Sequence, residues 1–330
     1  MTSLRILPLV ALLVACQGEI VANPGTDAGP GTGAGDAGDG TAIDAGTTPP
    51  PPGTDAGTEP PPPGVDAGPP TPPPPTMGPV MNASVLFIGH SLINWHMPSM
   101  MNSIALDAGR GHTWDAQIGN GGAIQAQWDH HREGVYARDE IPSGRYDTIV
   151  MTEAIPLMDH YRYSGTVEFA GRFYDMAQEA RPGTRVYMYE TWHETTLSDW
   201  RARIDSDRAL WETIVDEVNA GRSGPDMLMI PAGTALGRLV DRIDAGAVPG
   251  ISSRDQLFHD EIHMSDWGNY FIACVQFATI YRMSPEGLTR NTVNMWDSPF
   301  DPPPADAARI MQQIAWEVVS SDPRSGVAAE

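Results

Sequence analysis

The region from residue 81 to residue 330 is predicted to be a three-layer, doubly wound α/β domain with a mainly parallel sheet of about five strands. Two observations point there. Short apolar runs at 85–88, 148–152, 185–190 and 227–230 alternate with longer amphipathic stretches. Within the short runs apolar residues stand at successive positions rather than alternating with polar ones, which is the pattern of strands covered on both faces. Strands alternating with helices then imply parallel pairing with helices on either side.

Each element has its own signal. Residues 85–88 form a four-residue apolar run ended by Gly89. A run of four does not by itself separate a strand from buried helix. Met97 and Pro98 open an amphipathic stretch to about 108, closed by Gly109, and proline suits a first helical turn. A weaker strand at 113–118 is followed by the turn Gly119-Asn120-Gly121-Gly122, then by an exposed helical stretch at 125–132. After the strand at 148–152, a helix is expected over 166–180, ended by Pro182-Gly183. The strand at 185–190 leads to Trp192-His193-Glu194 and a long helix over 197–220. A short strand at 227–230 and helices at 234–243, 266–282 and 305–319 complete the order.

The N-terminal part follows different rules. Residues 1–16 read as a signal peptide, with Arg5 as the positive region and an apolar core at 6–15 too short to span a bilayer. Its end, Leu13-Val14-Ala15-Cys16, resembles a bacterial lipobox, which makes Cys16 the expected lipidation site. An ordinary signal peptide with a chance cysteine is the plainer alternative. Residues 17–80 are a Pro/Gly/Asp-rich linker with eight acids and no base. Nothing in it can form a core. As extended polyproline helix it reaches on the order of 200 Å, enough to hold a domain away from a membrane.

The chain carries a net charge of −22, and its 20 basic residues are all arginine. Such an acidic balance argues against nucleic acid as a partner, and against a membrane contact other than a lipid anchor. With Cys16 set aside, Cys274 has no intramolecular partner and is read as a buried core thiol in the apolar run 270–280.

In a doubly wound sheet, ligands sit outside the carboxyl ends of the strands. Four predicted loops there carry reactive or small residues: 89–91, 119–122, 152–153 and 192–194. Ser91 lies between a buried strand and a helix N-terminus, where positive potential favours a nucleophile. A helix-capping serine is the plainer reading of the same position. A fifth segment, 257–268, places Asp260 three residues before His263. That spacing lets a carboxylate orient an imidazole, which can take the proton of Ser91. His259 and His263 stand four apart, as in zinc hydrolases, but Asp260 occupies the position where that motif needs Glu. Asp129-His130-His131 reads as an exposed polar face rather than a metal site.

Gly89-His90-Ser91-Leu92, together with D-x-x-H at 260–263 followed by Ser265 and Gly268, resembles the SGNH (GDSL-like) hydrolase family over roughly residues 84–282. The resemblance implies a flavodoxin-like sheet and ester hydrolysis without metal or cofactor. It implies Ser91 as nucleophile, His263 as general base and acid, and Asp260 as the partner of His263. It implies an oxyanion hole from the Ser91 N–H, a glycine N–H best matched by Gly122 with Gly121 as second choice, and an Asn side chain after the third strand. No Asn stands there: the strand ends Val150-Met151-Thr152-Glu153. Thr152, which can donate a hydroxyl hydrogen, is the expected substitute, and Glu153 can donate only if protonated. Trp192, Glu153 and His90 are the expected substrate contacts, although Trp192 suits packing equally well.

The resulting expectation is an exported serine esterase, lipid-anchored to the cell envelope at the outer membrane or cell surface. Its expected partner is a small acyl ester, acetyl groups on a glycan being the first choice and lipase or thioesterase chemistry fitting the same residues. The rival is a non-catalytic binding domain on a decayed hydrolase scaffold, which the missing Asn favours.

Overall fold

The computed structural model describes residues 78–327. The expected signal peptide, Cys16 and the expected linker as far as residue 77 lie outside the described residues. The elements are, in chain order, β1 (Asn82–Gly89), α1 (His96–Asp107), β2 (Gly111–Ile118), α2 (Ile124–Asp129), β3 (Glu133–Gly134), α3 (Ala137–Glu140), β4 (Thr148–Met151), α4 (Leu157–Tyr163), α5 (Thr166–Ala180), β5 (Arg185–Tyr189), α6 (Trp200–Asn219), β6 (Leu228–Ile230), α7 (Ala232–Asp244), α8 (Asp266–Tyr281) and α9 (Ala305–Ser321). Single 3-10 turns at Ile141–Ser143 and Arg254–Leu257 complete the set.

The sheet order is β3-β2-β1-β4-β5-β6. Five strands run parallel, and the two-residue β3 adds an antiparallel edge to β2. The expected doubly wound α/β sheet is therefore present, with one short strand more than predicted. β1 is buried from Val85 to Gly89, where it pairs with β2 on one side and, over Val85–Ile88, with β4 on the other. Val85 and Phe87 pack into the layer built by α1, α7, α8 and α9. Leu86 and Ile88 face the opposite layer, with α2, α5 and the second half of α6. This alternation explains an unbroken apolar run: both faces of the pleat are inside. Burying each such side chain contributes ~1.5–3 kcal/mol.

The chain leaves β1 toward β2 on one side and returns to β4 on the other, so β1 sits at the switch in strand order. The carboxyl end of β1 opens between the two diverging loops, where doubly wound sheets bind ligands. Ser91 follows that strand end directly.

The sequence reading misses β3, α3 and α4. β3 and α3 are too short to show periodicity, and α4 begins immediately after Pro156 with only Leu157 buried. Cys274 is fully buried in α8, and burial pushes its thiol up to about 12.

Candidate active site

The site is built from the loop after β1 and the segment before α8. The His263 Nε2 lies 2.8 Å from the Ser91 Oγ. On its other side, Nδ1 lies 2.7 Å from the Asp260 Oδ2. Ser91 and the two residues of the D-x-x-H segment thus meet across 172 residues of chain.

The local folding of 257–268 follows from its polar residues. The second oxygen of Asp260 accepts the backbone N–H of Ile262 at 2.9 Å and of His263 at 2.7 Å, closing a tight turn. The His259 N–H donates to the His263 carbonyl at 2.7 Å, and the Ser265 N–H to the Leu257 carbonyl at 2.9 Å. Ser265 is the N-cap of α8, its side chain accepting the Gly268 N–H at 3.4 Å. Burial pushes the Asp260 carboxyl up, but the N–H groups of His263 and Ile262 and the imidazole of His263 outweigh it and hold the acid at about 2. Asp260 is therefore a carboxylate throughout the neutral range, fit to fix the tautomer and orientation of the ring.

On the Ser91 side, capping belongs to a different residue. The Asn94 carboxamide oxygen accepts the N–H groups of His96 and Met97, at 2.6 and 3.1 Å, at the start of α1. Ser91 is left to point at His263. Gly89 is required by close packing: a Cβ there would come within 2.7 Å of both Ile93 Cδ1 and Thr152 Cγ2.

Several expected site residues take other roles. The Thr152 hydroxyl donates to the Tyr189 carbonyl at 2.8 Å and is fully buried, so its only proton is engaged away from Ser91. We expect Thr152→Val to keep kcat within about threefold and to lower stability by ~1–3 kcal/mol through the unpaired Tyr189 carbonyl. Turnover of a small ester, where the protein shows it, and thermal melts check both. Glu153 is also fully buried and acts as an acceptor. Its Oε1 receives the N–H groups of Ile124 and Ala154, and its Oε2 the hydroxyl of Thr166. Ile124 and Thr166 are the first residues of α2 and α5, so one carboxylate pins two helix N-termini. Burial raises the Glu153 pKa against the pull of these donors. Neither its position nor its bonding makes it a substrate contact.

Trp192 is buried too, 1% exposed, with its ring 6.5 Å from that of Tyr189. Its Nε1 donates to the Ile262 carbonyl at 2.8 Å. It therefore does not wall the cleft but holds the turn that carries His263. His90 lies inside, its Nδ1 accepting the Leu92 N–H at 3.4 Å and its Nε2 donating to the Glu153 carbonyl at 3.0 Å. Burial, only partly offset by that carbonyl, lowers its pKa to about 4. The Gly122 N–H donates to the Gly119 carbonyl at 2.9 Å, which removes the preferred glycine donor of the oxyanion hole. Gly121, the second choice, lines a cavity beside Ser91.

His259 and His263 do not converge on a common point of ligation, since both ring nitrogens of His263 are engaged. Among the described residues, no group of three or more His, Cys, Asp and Glu side chains is placed to hold a metal ion. His130 and His131 are exposed, with the His131 Nε2 on the Gly134 carbonyl at 3.2 Å.

Ser91 opens onto two cavities. The larger, about 780 Å³, is lined among others by Trp95, Trp267, Glu133, Asp266 and Asp301. The smaller, about 380 Å³, is lined by His90, Leu92, Gly121, Ala154, Ile155, Glu194 and Ile262 beside the shared residues. Ser91, His263 and Asn120 line both. Asn120 escapes the sequence reading, which treats its Gly-Asn-Gly-Gly turn as a source of backbone N–H groups only. An asparagine in a glycine turn at a strand's carboxyl end is the signal that finds it.

No protein-family profile matches this sequence, and no curated protein matches it. Solved structures do. The chain is similar to a DUF4886 family protein from Bacteroides uniformis, with 18% identity over 72% of this chain and 95% of that one, at a TM-score of 0.49. It is also similar to a carbohydrate esterase family 3 from Talaromyces cellulolyticus, with 11% identity, 60% and 96% coverage and a TM-score of 0.41. A Clostridium thermocellum family 3 carbohydrate esterase aligns with 12% identity, 59% and 94% coverage and a TM-score of 0.39. Likenesses this distant concern the fold; the chemistry is read from the side chains of this chain.

Proposed function

We propose that this chain is a serine esterase of the SGNH kind that removes small acyl groups, acetyl first, from a glycan outside the cytoplasm. The observation that carries the reading is the continuous line Ser91–His263–Asp260, at 2.8 and 2.7 Å, opening onto a cleft. A hydrogen-bonded serine, imidazole and carboxylate form an activated nucleophile.

The steps follow from the geometry. The Ser91 Oγ attacks the acyl carbon while its proton passes to the His263 Nε2. The imidazolium is stabilised by the Asp260 carboxylate at Nδ1. His263 then protonates the leaving alcohol oxygen, and the acyl group remains on Ser91. Water attacks the acyl carbon and gives its proton to the same nitrogen; as the acyl–Oγ bond breaks, His263 returns that proton to the Ser91 Oγ and the acid leaves. The N–H groups of Ser91 and Gly121 supply the backbone donors for the oxyanion.

The cavity shapes divide the substrate. The smaller cavity suits the acyl part and the larger one the alcohol part. The larger one combines the indoles of Trp95 and Trp267 with carboxylates and carboxamides, the mixture of apolar faces and polar acceptors that sugar rings use. Its acidic side chains, Glu133, Asp266 and Asp301, with no arginine among its lining residues, favour a neutral or cationic glycan over an anionic one.

Turnover of p-nitrophenyl acetate, blocked by a fluorophosphonate that labels Ser91, tests the reading. A protein that neither hydrolyses the ester nor takes the label would instead be a binding domain on this scaffold. The anchor is a separate part of the proposal, and it rests on the lipobox-like end at Cys16. Wild-type protein is expected in the membrane fraction and Cys16→Ser in the soluble fraction; two acyl chains give stable anchoring where one is marginal. Soluble, unmodified wild type would remove the anchor from the proposal.

A further inference from the structure

We infer that the side-chain carboxamide of Asn120 donates to the oxyanion formed on the substrate carbonyl, an assignment that rests on the esterase reading above. When the Ser91 Oγ bonds to the acyl carbon, the carbonyl π pair moves onto oxygen and the serine proton moves to His263. The new negative charge sits next to the Oγ, so its donors must stand beside Ser91. Each aligned donor contributes a large factor to the rate because the bond strengthens only as charge develops.

The sheet register puts Asn120 there. Gly89 at the end of β1 pairs with Ile118 at the end of β2. The pairing extends one residue further, the Gly119 N–H donating to the Gly89 carbonyl at 2.8 Å. Ser91 and Asn120 each lie two residues beyond the last pair, on neighbouring strands ~4.8 Å apart. Both cavities border Ser91 and His263, where attack takes place. Only Ser91, His263 and Asn120 border both, so nucleophile, base and this carboxamide surround the reacting carbonyl.

Elimination leads to the same residue. Thr152 and Glu153, at the strand end where the resemblance expects a donor, are turned inward and engaged. Of the carboxamides lining the larger cavity, Asn94 donates to the Asn269 Oδ1 at 2.9 Å. Asn269 donates to the Met264 and Ser265 carbonyls, each at 3.1 Å. Gln256 lines only the larger cavity, its Oε1 held by the Ser252 and Ser253 N–H groups in the turn before His259. Asn120 is exposed, and its carboxamide has no bonding partner among the described residues. Unlike a carboxyl, it donates at every working pH. The donor thus stands at the end of β2, and the end of β4 serves instead as the pin for two helices.

The test combines turnover of p-nitrophenyl acetate with inhibition by an alkyl trifluoromethyl ketone, whose adduct with a serine carries an oxyanion. Asn120→Ala is expected to lower kcat by ~10- to 10³-fold with KM changed by less than about threefold. The ketone's inhibition constant is expected to weaken by a similar factor. Asn120→Asp keeps the shape and places a repelling charge at the oxyanion, so its kcat should be no higher than that of Asn120→Ala. Retained kcat in Asn120→Ala overturns the inference, and so does a lower kcat with unchanged ketone inhibition, because a structural role would not follow the oxyanion. Wild type that shows neither turnover nor fluorophosphonate labelling overturns the esterase reading itself, which separates the two failures.

Discussion

Ser91→Ala and His263→Ala are each expected to lower kcat/KM on a small ester by ~10⁴- to 10⁶-fold, and the double variant should be little worse than either. The reason for non-additivity is in the geometry. The imidazole first takes the proton of the Oγ that it faces at 2.8 Å, and every later step needs the acyl group on that Oγ, so removing either side chain stops the reaction at the same point. Asp260→Asn should fall at the low end of that range, about 10⁴-fold, because the serine and base remain. Its carbonyl oxygen can still accept the Ile262 and His263 N–H groups that close the turn. The amide nitrogen then faces Nδ1 and favours the tautomer that cannot accept the serine proton. The pH profile separates these roles. Asp260 is held at about 2, so it stays ionised above pH ~4 and contributes no acid limb there. Steady-state kinetics of the four proteins on p-nitrophenyl acetate checks the set. Near-wild-type turnover by Ser91→Ala rejects Ser91 as nucleophile.

The legible part of this chain was the part written in periodicity and in spacing. A strand buried on both faces is apolar at successive positions, so 85–88, 149–151 and 186–189 stand out as runs. Asp260 and His263 are three apart in one turn, so their contact is local and readable without the fold. What distant parts of the chain do to one another was not legible. Thr152 has the right chemistry for a donor, but its hydroxyl is directed by β5, whose Tyr189 carbonyl lies opposite. Glu153 reads as a reactive carboxyl until two helix N-termini converge on it. Trp192 follows a strand end, as a cleft residue would, yet it turns inward to hold Ile262, 70 residues away. Asn120 acquires meaning only from its register beside Ser91. In each case the residue type was visible, while its direction was set by partners on other strands.

Gly268→Ala is expected to destabilise the domain by ~1–3 kcal/mol, a cost typical of overpacking, and to lower kcat by ~10²-fold or more. Gly268 lies in the first turn of α8, and its φ is not the issue. A Cβ there would press on the Leu257 carbonyl and on the Met264 sulfur, closer than real side chains approach. Met264 can move, but the Leu257 carbonyl is backbone and accepts the Ser265 N–H at 2.9 Å. Relief therefore shifts the whole segment 257–265, which carries Asp260 and His263. Ser91 stays behind on the loop after β1, so the shift opens the 2.8 Å contact that proton transfer needs. Gly183→Ala supplies the comparison. Gly183 has φ +88 in open space, at the start of β5, the end of the sheet away from Ser91. Alanine there strains the backbone by ~1 kcal/mol without moving the site. For a domain of this size each kcal/mol lowers the melting temperature by ~2–4 °C. Both variants should melt earlier, and only Gly268→Ala should lose turnover beyond what its melting predicts. Equal activity in the two, measured well below their melting temperatures, would mean that the turn before α8 holds His263 in place without this glycine.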